Sequence, residues 1–170
     1  MDVEVFVANE QTEREVDAAR WAALARAVLG AEGVRGDAEL SMLFVDEETI
    51  AALNERFLRI AGPTDVLAFP IDDDEVALGR SPDNGGTGPG WENLDDGSAP
   101  ILIGDVVICP EVAWRNAPDH AGTFDAEIAL LIVHGILHLL GMDHERPAEA
   151  EAMEAREREL LDQLFRPQDA

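Results

Sequence analysis

A single α+β layered domain, with a four-stranded sheet and one central buried helix, is the fold class this sequence predicts. Three observations lead there. Four short segments are rich in β-branched and apolar residues, and four stretches carry helical periodicity. The two kinds are mixed without a regular βαβ rhythm, which favours one layered α+β unit. At 170 residues the chain fits one core burying roughly two thirds of its unfolded surface, so residues 1–170 read as one domain.

The elements follow in order. VEVFVA (3–8) alternates with period two and reads as a strand. A helix is predicted over 13–30, with Val16, Leu24, Ala27 and Val28 at helical spacing and Gly30 at its C-terminal cap. AELSMLFVD (38–46) is a second strand, and Asp46 caps a short helix expected to bury Ile50, Leu53 and Phe57. DVLAFP (65–70) is a third strand, closed by Pro70. Residues 71–99 form an acidic loop insertion, with clusters of glycine, proline and asparagine, eight acids and a single arginine. ILIGDVVIC (101–109) is a fourth strand, whose Gly104 marks a bulge or a close backbone approach. Thr123 caps the next helix, with Asp125 and Glu127 where the helix dipole favours anions and Gly141 at its end. Pro147 opens a last helix to about Phe165, with Met153, Leu160, Leu161 and Leu164 inward.

Charge is the unusual property. Acids number 36 against 12 basic residues, all arginine, for a net charge of −24. Such a balance repels polyanions and argues against nucleic acid or an anionic membrane as partner. It also suits a cytoplasm with molar salt, where the Debye length falls to about 3 Å and self-repulsion is screened. Cys109 is the one cysteine, so neither an intramolecular disulfide, a disulfide-linked partner nor a thiol-rich metal site is expected. No apolar run approaches the roughly 20 residues of a membrane span. The opening MDVEVFVANE lacks the basic region of a signal peptide, so a cytoplasmic location is expected.

The chemistry concentrates in LIVHGILHLLGMDHE (131–145), an apolar helix carrying His134 and His138, then a turn at Gly141 and His144. Positions four apart put the first two rings on one helical face, and the glycine can fold the third back over them. Burying three imidazoles without partners would cost about 1–3 kcal/mol each. Convergence on a metal removes that cost, and three nitrogen ligands with an open fourth position suit catalytic zinc. Nickel, copper or iron would also accept such a set. The same spacing occurs in metzincin proteases, whose general-base glutamate would fall at Gly135 here. The expected architecture is therefore zincin-like, but without the base that peptide hydrolysis uses.

HGILHLLGMDHE (134–145) resembles the signature of the YbeY family of bacterial endoribonucleases, also called rRNA maturation factors. LN (53–54), PTDVLAFP (63–70), IGDVVICP (103–110) and EIALLIVHG (127–135) fall in the order of that family's other motifs. The resemblance implies a zinc-dependent, single-strand-specific endoribonuclease acting in 16S rRNA 3′-end maturation and ribosome quality control. Its partners would be single-stranded rRNA, the small ribosomal subunit and the subunit's assembly factors. It carries one zinc per chain over to His134, His138 and His144. An arginine often follows the aromatic residue of the family's LN helix; Leu58 stands there, with Arg59 one later as the catalytic candidate and Arg56 nearby. Arg56, Thr64 and Asp65 are the substrate-binding candidates, although turn capping explains Thr64 and Asp65 equally well. Gly104 and Asp105 also match recurrent family positions. Arg20 and Arg26 could join Arg56 and Arg59 in a local basic groove, while the six phenylalanines read as buried, leaving no stacking platform. His120 reads as a surface loop residue and Cys109 as core. Two other classes remain open: a peptidase-like hydrolase drawing a base from Asp143 or Glu145, and a non-catalytic assembly factor with a structural metal.

Overall fold

A computed structural model describes residues 3–34, 37–70, 101–142 and 146–165. The expected acidic insertion at 71–99 lies outside them. The strands are β1 (Val3–Asn9), β2 (Ala38–Phe44), β3 (Val66–Pro70) and β4 (Ile101–Ile108), in sheet order β1-β2-β4-β3. β1, β2 and β4 run parallel, and β3 pairs antiparallel on the edge of β4. The helices among the described residues are α1 (Ala18–Ala31), α2 (Glu47–Leu53), α3 (Pro110–Asn116), α4 (Phe124–Leu139) and α5 (Pro147–Leu164). The α+β class and the four-stranded sheet are as the sequence predicts.

Alternation along β2 decides the layers. Ala38, Leu40, Met42 and Phe44 are buried, while Glu39, Ser41 and Leu43 are not. The buried set joins Trp21, Leu24, Val28 and Leu29 of α1 and Ile128, Ile132 and Ile136 of α4 in the main core. α1 starts later than expected: Asp17 caps it by accepting from Arg20 N at 3.2 Å, so Val16 precedes the helix. Gly30 is inside it, and the chain reverses at Gly33, whose φ of +89° suits a residue without Cβ. A smaller core forms on the other face from Val45, Ile50, Leu67, Val107, Cys109 and Val112.

α2 is capped by Asp46, which accepts from Thr49 N at 2.8 Å. It then widens into a π-helical turn, Asn54–Leu58, that ends at Arg59 with a φ of 60°. The wider turn rotates Phe57 away from the core position its helical spacing implied. The residue is 53% exposed, its ring edge-on to Phe69 at 5.3 Å between centroids. Phe6, on the outer face of β1, is also half exposed, so the expectation that every phenylalanine is buried does not hold. α3 is the element the sequence reading passed over. It is only 7 residues long, though Pro110 in its first turn is a helix-start signal.

α4 is the central helix. Thr123 caps it, accepting from Ala126 N at 3.1 Å, and most of its surface is buried. Leu130, His134 and His138, spaced four apart, form a stripe of partial exposure along this buried helix. Gly135 faces the sheet, where a Cβ would come within 2.9 Å of Val106 Cγ1. No single helix among the described residues is long and apolar enough to cross a membrane.

Candidate functional site

His134 and His138 lie one turn apart on α4, with ring centroids 6.2 Å apart and planes inclined by 28°. Each is oriented from behind. His134 Nδ1 lies 2.6 Å from Glu157 Oε2 of α5, and His138 Nδ1 lies 3.0 Å from the Met142 carbonyl oxygen. A carbonyl can only accept, so His138 donates from Nδ1, an arrangement that in a neutral ring puts the lone pair on Nε2. A carboxylate on His134 Nδ1 selects the same tautomer. Oriented Nδ1–H donors of this kind stand behind metal-ligating histidines generally. Two imidazoles sharing a tetrahedral zinc, with Zn–N of about 2 Å, have centroids roughly 5 Å apart. A small side-chain rotation brings the observed pair to that spacing, so the two rings fit the ion. His144, the third expected ligand, lies outside the described residues, as do Asp143 and Glu145.

Glu157 was not anticipated. It is almost fully buried on the inward stripe of α5, between Met153 and Leu160. An acid within an apolar stripe is the signal that could have found it. If the histidine pair ligates zinc as the sequence predicts, replacing Glu157 by glutamine should weaken that binding about 10–100-fold, because the amide can present its NH₂ to Nδ1 and favour the other tautomer. Competition with a chromophoric chelator reads this directly, and unchanged affinity would contradict the role.

Beside His134 is a cavity of about 410 Å³ lined by Asp65, Val66, His120, Leu130, Leu131, His134, Ala150, Met153, Glu154 and Glu157. Asp65 therefore reaches the same space as the histidine pair's first member. Thr64, Arg56 and Arg59 are not among its walls. The loop carrying Asp65 is held by Asn54 of the LN pair, which is buried and donates from Nδ2 to the Gly62 carbonyl at 2.9 Å. The Asp65 carbonyl in turn accepts from Cys109 N at 3.0 Å, and Cys109 is core as expected. His120 is the exposed turn residue the sequence predicts, and it also has a buried partner. Its Nδ1 lies 2.9 Å from both carboxylate oxygens of Glu127, which is 0% exposed.

The expected arginine groove is not assembled as a unit. Arg20 is bound to Asp125 at 2.8 Å and stacked on Trp21, whereas Arg56 and Arg59 follow α2. Arg56 and Arg59 make no ion pair among the described residues, and the Arg56 guanidinium lies 5.1 Å from the Phe57 ring centroid.

Asp105 neighbours Val106, which meets α4, so its side chain points to the opposite face of the sheet, away from the cavity. Burial pushes its carboxyl above the ordinary value of 3.8. The folded chain thus holds this proton more tightly than the unfolded one. The stability it contributes is complete below the unfolded pKa and is lost as pH rises through the folded one. Asp105→Asn is expected to raise the melting temperature at pH 7, with the gain shrinking as pH falls toward 3.8. A gain that grew on acidification would refute this.

A buried helix presenting an oriented histidine pair beside an acid-lined cavity, under a mixed sheet with an antiparallel edge strand, defines a class of small α+β domain. Comparison with known proteins narrows the class. The Endoribonuclease YbeY family profile matches residues 6–165. The chain is 45% identical over 157 residues to Endoribonuclease YbeY of Frankia casuarinae, covering 92% of this chain and 72% of that protein. It is 44% identical over 157 residues to Endoribonuclease YbeY of Salinispora tropica, covering 92% and 93%. The solution structure of TM1509 from Thermotoga maritima shares the fold, with a TM-score of 0.52 at 23% identity over 94% of this chain and 90% of that one. The chain belongs to the Endoribonuclease YbeY family.

Proposed function

We propose that this protein is a zinc-dependent endoribonuclease that hydrolyses single-stranded RNA, acting at the 3′ end of 16S rRNA in small-subunit maturation and quality control. The observation that carries the reading is the pair of Nδ1 hydrogen bonds, from His134 to Glu157 and from His138 to Met142, in a chain of this family. They support a zincin-like centre in which His134, His138 and His144 would hold one zinc. A zinc ion there would supply Lewis acidity to a phosphoryl oxygen and a lowered pKa to water.

The chain's own groups supply the rest. Glu157 keeps His134 oriented, and Asp65 presents a polar group to the cavity beside it. Arg59, with Arg56, would neutralise the second phosphoryl charge from the turn after α2. Half-exposed Phe57, with the Arg56 guanidinium nearby, offers one surface on which an unpaired base could stack. A peptidase reading is weakened by Gly135. That position packs against Val106, so a glutamate there would meet the sheet rather than the histidines.

The acidity fits a cytoplasm of high salt. Arg14, Arg20, Arg115 and Arg156 are already paired with acids, which withdraws these four of the twelve arginines from RNA phosphates. Binding would then rest on the site more than on a basic surface, and would lose less with salt than usual. The test is cleavage of a single-stranded RNA spanning the 16S 3′ end, and of the same RNA annealed to its complement, from dilute to molar KCl. Cleavage of the single strand alone, persisting in molar salt, is the expected result. Equal cleavage of the duplex, or none of either, would refute the reading.

A further inference from the structure

We propose that His120 and Glu127 form a proton-transfer dyad, with His120 the donor to the leaving ribose oxygen; the proposal rests on the ribonuclease reading above. Glu127 is a completely buried carboxylate near the start of α4. A buried carboxylate is costly unless its oxygens are hydrogen-bonded. Its partners are the Ala121 backbone N–H, donating to Oε1 at 3.1 Å, and His120 Nδ1, 2.9 Å from both oxygens. The turn is already tied by the Ala117 carbonyl, which accepts from His120 N at 3.0 Å and Gly122 N at 2.7 Å.

What the imidazole adds is a second nitrogen. With Nδ1 held on Glu127, Nε2 is the atom that exchanges a proton, on a ring whose side chain is 58% exposed. That ring lines the same cavity as His134. The arrangement is the one by which a buried carboxylate orients a catalytic imidazole. The other titratable groups around the cavity, among the described residues, are Asp65 at the foot of β3, His134 on α4, and Glu154 and Glu157 on α5. His134 is committed to Glu157, which leaves His120 as the imidazole of this cavity outside the expected ligand set.

The step balances as follows. A water oxygen forms the new bond to phosphorus and gives up one proton to solvent. The bond from phosphorus to the bridging ribose oxygen breaks, its electron pair staying with that oxygen. The protonated His120 Nε2 transfers its proton there, producing an alcohol, and the ring recovers a proton from solvent. General acid help of this kind contributes roughly 10²–10⁴-fold.

A leaving group that needs no proton separates this role from a structural one. The experiment compares wild type and His120→Gln on RNA, and on oligonucleotides with sulfur replacing the 3′- or the 5′-bridging oxygen at the scissile linkage. The glutamine amide of His120→Gln can still donate to Glu127, which keeps the buried carboxylate paired, and equal zinc content and melting temperature verify that. Expected is a loss of roughly 10² or more on RNA, with near wild-type rates where sulfur is the leaving atom. Equal losses on oxygen and sulfur substrates, or no loss on RNA, would overturn the dyad. Absence of RNA cleavage by the wild type would instead overturn the ribonuclease reading, and the dyad with it.

Discussion

His138→Ala is expected to give a folded protein that has lost tight zinc binding and cleaves RNA about 10³-fold more slowly. The magnitude follows from what the ion would supply. Stabilising phosphoryl charge is worth several kcal/mol, and each 1.36 kcal/mol is tenfold in rate. The folding cost is small by comparison. His138 lies in the last turn of α4 on the helix's half-exposed stripe, and its Nδ1 lies 3.0 Å from the Met142 carbonyl oxygen. Losing that bond costs about 1 kcal/mol, the ordinary net worth of one hydrogen bond. A variant that binds zinc as tightly as wild type would remove His138 from the ligand set. One that is zinc-free yet fully active would remove zinc from the mechanism.

The largest effect on stability is expected at Gly104. Its φ is +150°, and a Cβ there would lie 2.6 Å from the Phe69 carbonyl oxygen and 2.9 Å from Leu139 Cδ2. The Leu139 side chain can move. The Phe69 oxygen belongs to the backbone of β3 and yields only if the edge strand shifts off β4. Gly104→Ala therefore combines backbone strain of about 1–3 kcal/mol with overpacking of about 1–3 kcal/mol. A total of roughly 2–6 kcal/mol is a large share of a domain's 5–15. Gly30, in α1 with nothing within 4 Å of its Cβ position, is the natural control. Gly30→Ala should stabilise by about 0.5–1 kcal/mol. Urea denaturation of both variants checks the pair, and similar midpoints would contradict the assigned contacts. Because β3 follows directly on Asp65, Gly104→Ala should also loosen that wall of the cavity.

Legibility in the sequence tracked how local each determinant is. Strands with period-two alternation, such as VEVFVA and AELSMLFVD, were readable because their pattern records which face is buried. Caps Asp46 and Thr123 were readable because capping acts within three residues. The Gly104 signal offered a bulge or a close approach, and both are present. Phe57 was misjudged because an α-helical period was carried through residues that widen into a π turn. α3 was missed because seven residues give too few turns for a period to show.

The same distinction divides the site. His134 and His138 announced themselves by spacing four on one apolar helix. Their orienting partners did not, since Glu157 is 23 residues from His134 and is brought in by the packing of α5. Glu127 and His120 are seven apart across a turn whose shape the sequence does not spell out. Which arginines stay unpaired is likewise a tertiary outcome: Arg20 was a candidate for RNA and is spent on Asp125.

The central claim is that the histidine helix is a metal centre for RNA hydrolysis, and one titration tests it most directly. The protein is stripped with a chelator, then zinc is restored stepwise while bound metal and the rate of single-stranded RNA cleavage are measured on the same samples. The account predicts that the rate rises in proportion to occupancy and saturates at one zinc per chain, with no rise in His138→Ala. Full cleavage by the stripped protein, or zinc occupancy reaching one per chain with no cleavage at any salt concentration, would contradict it.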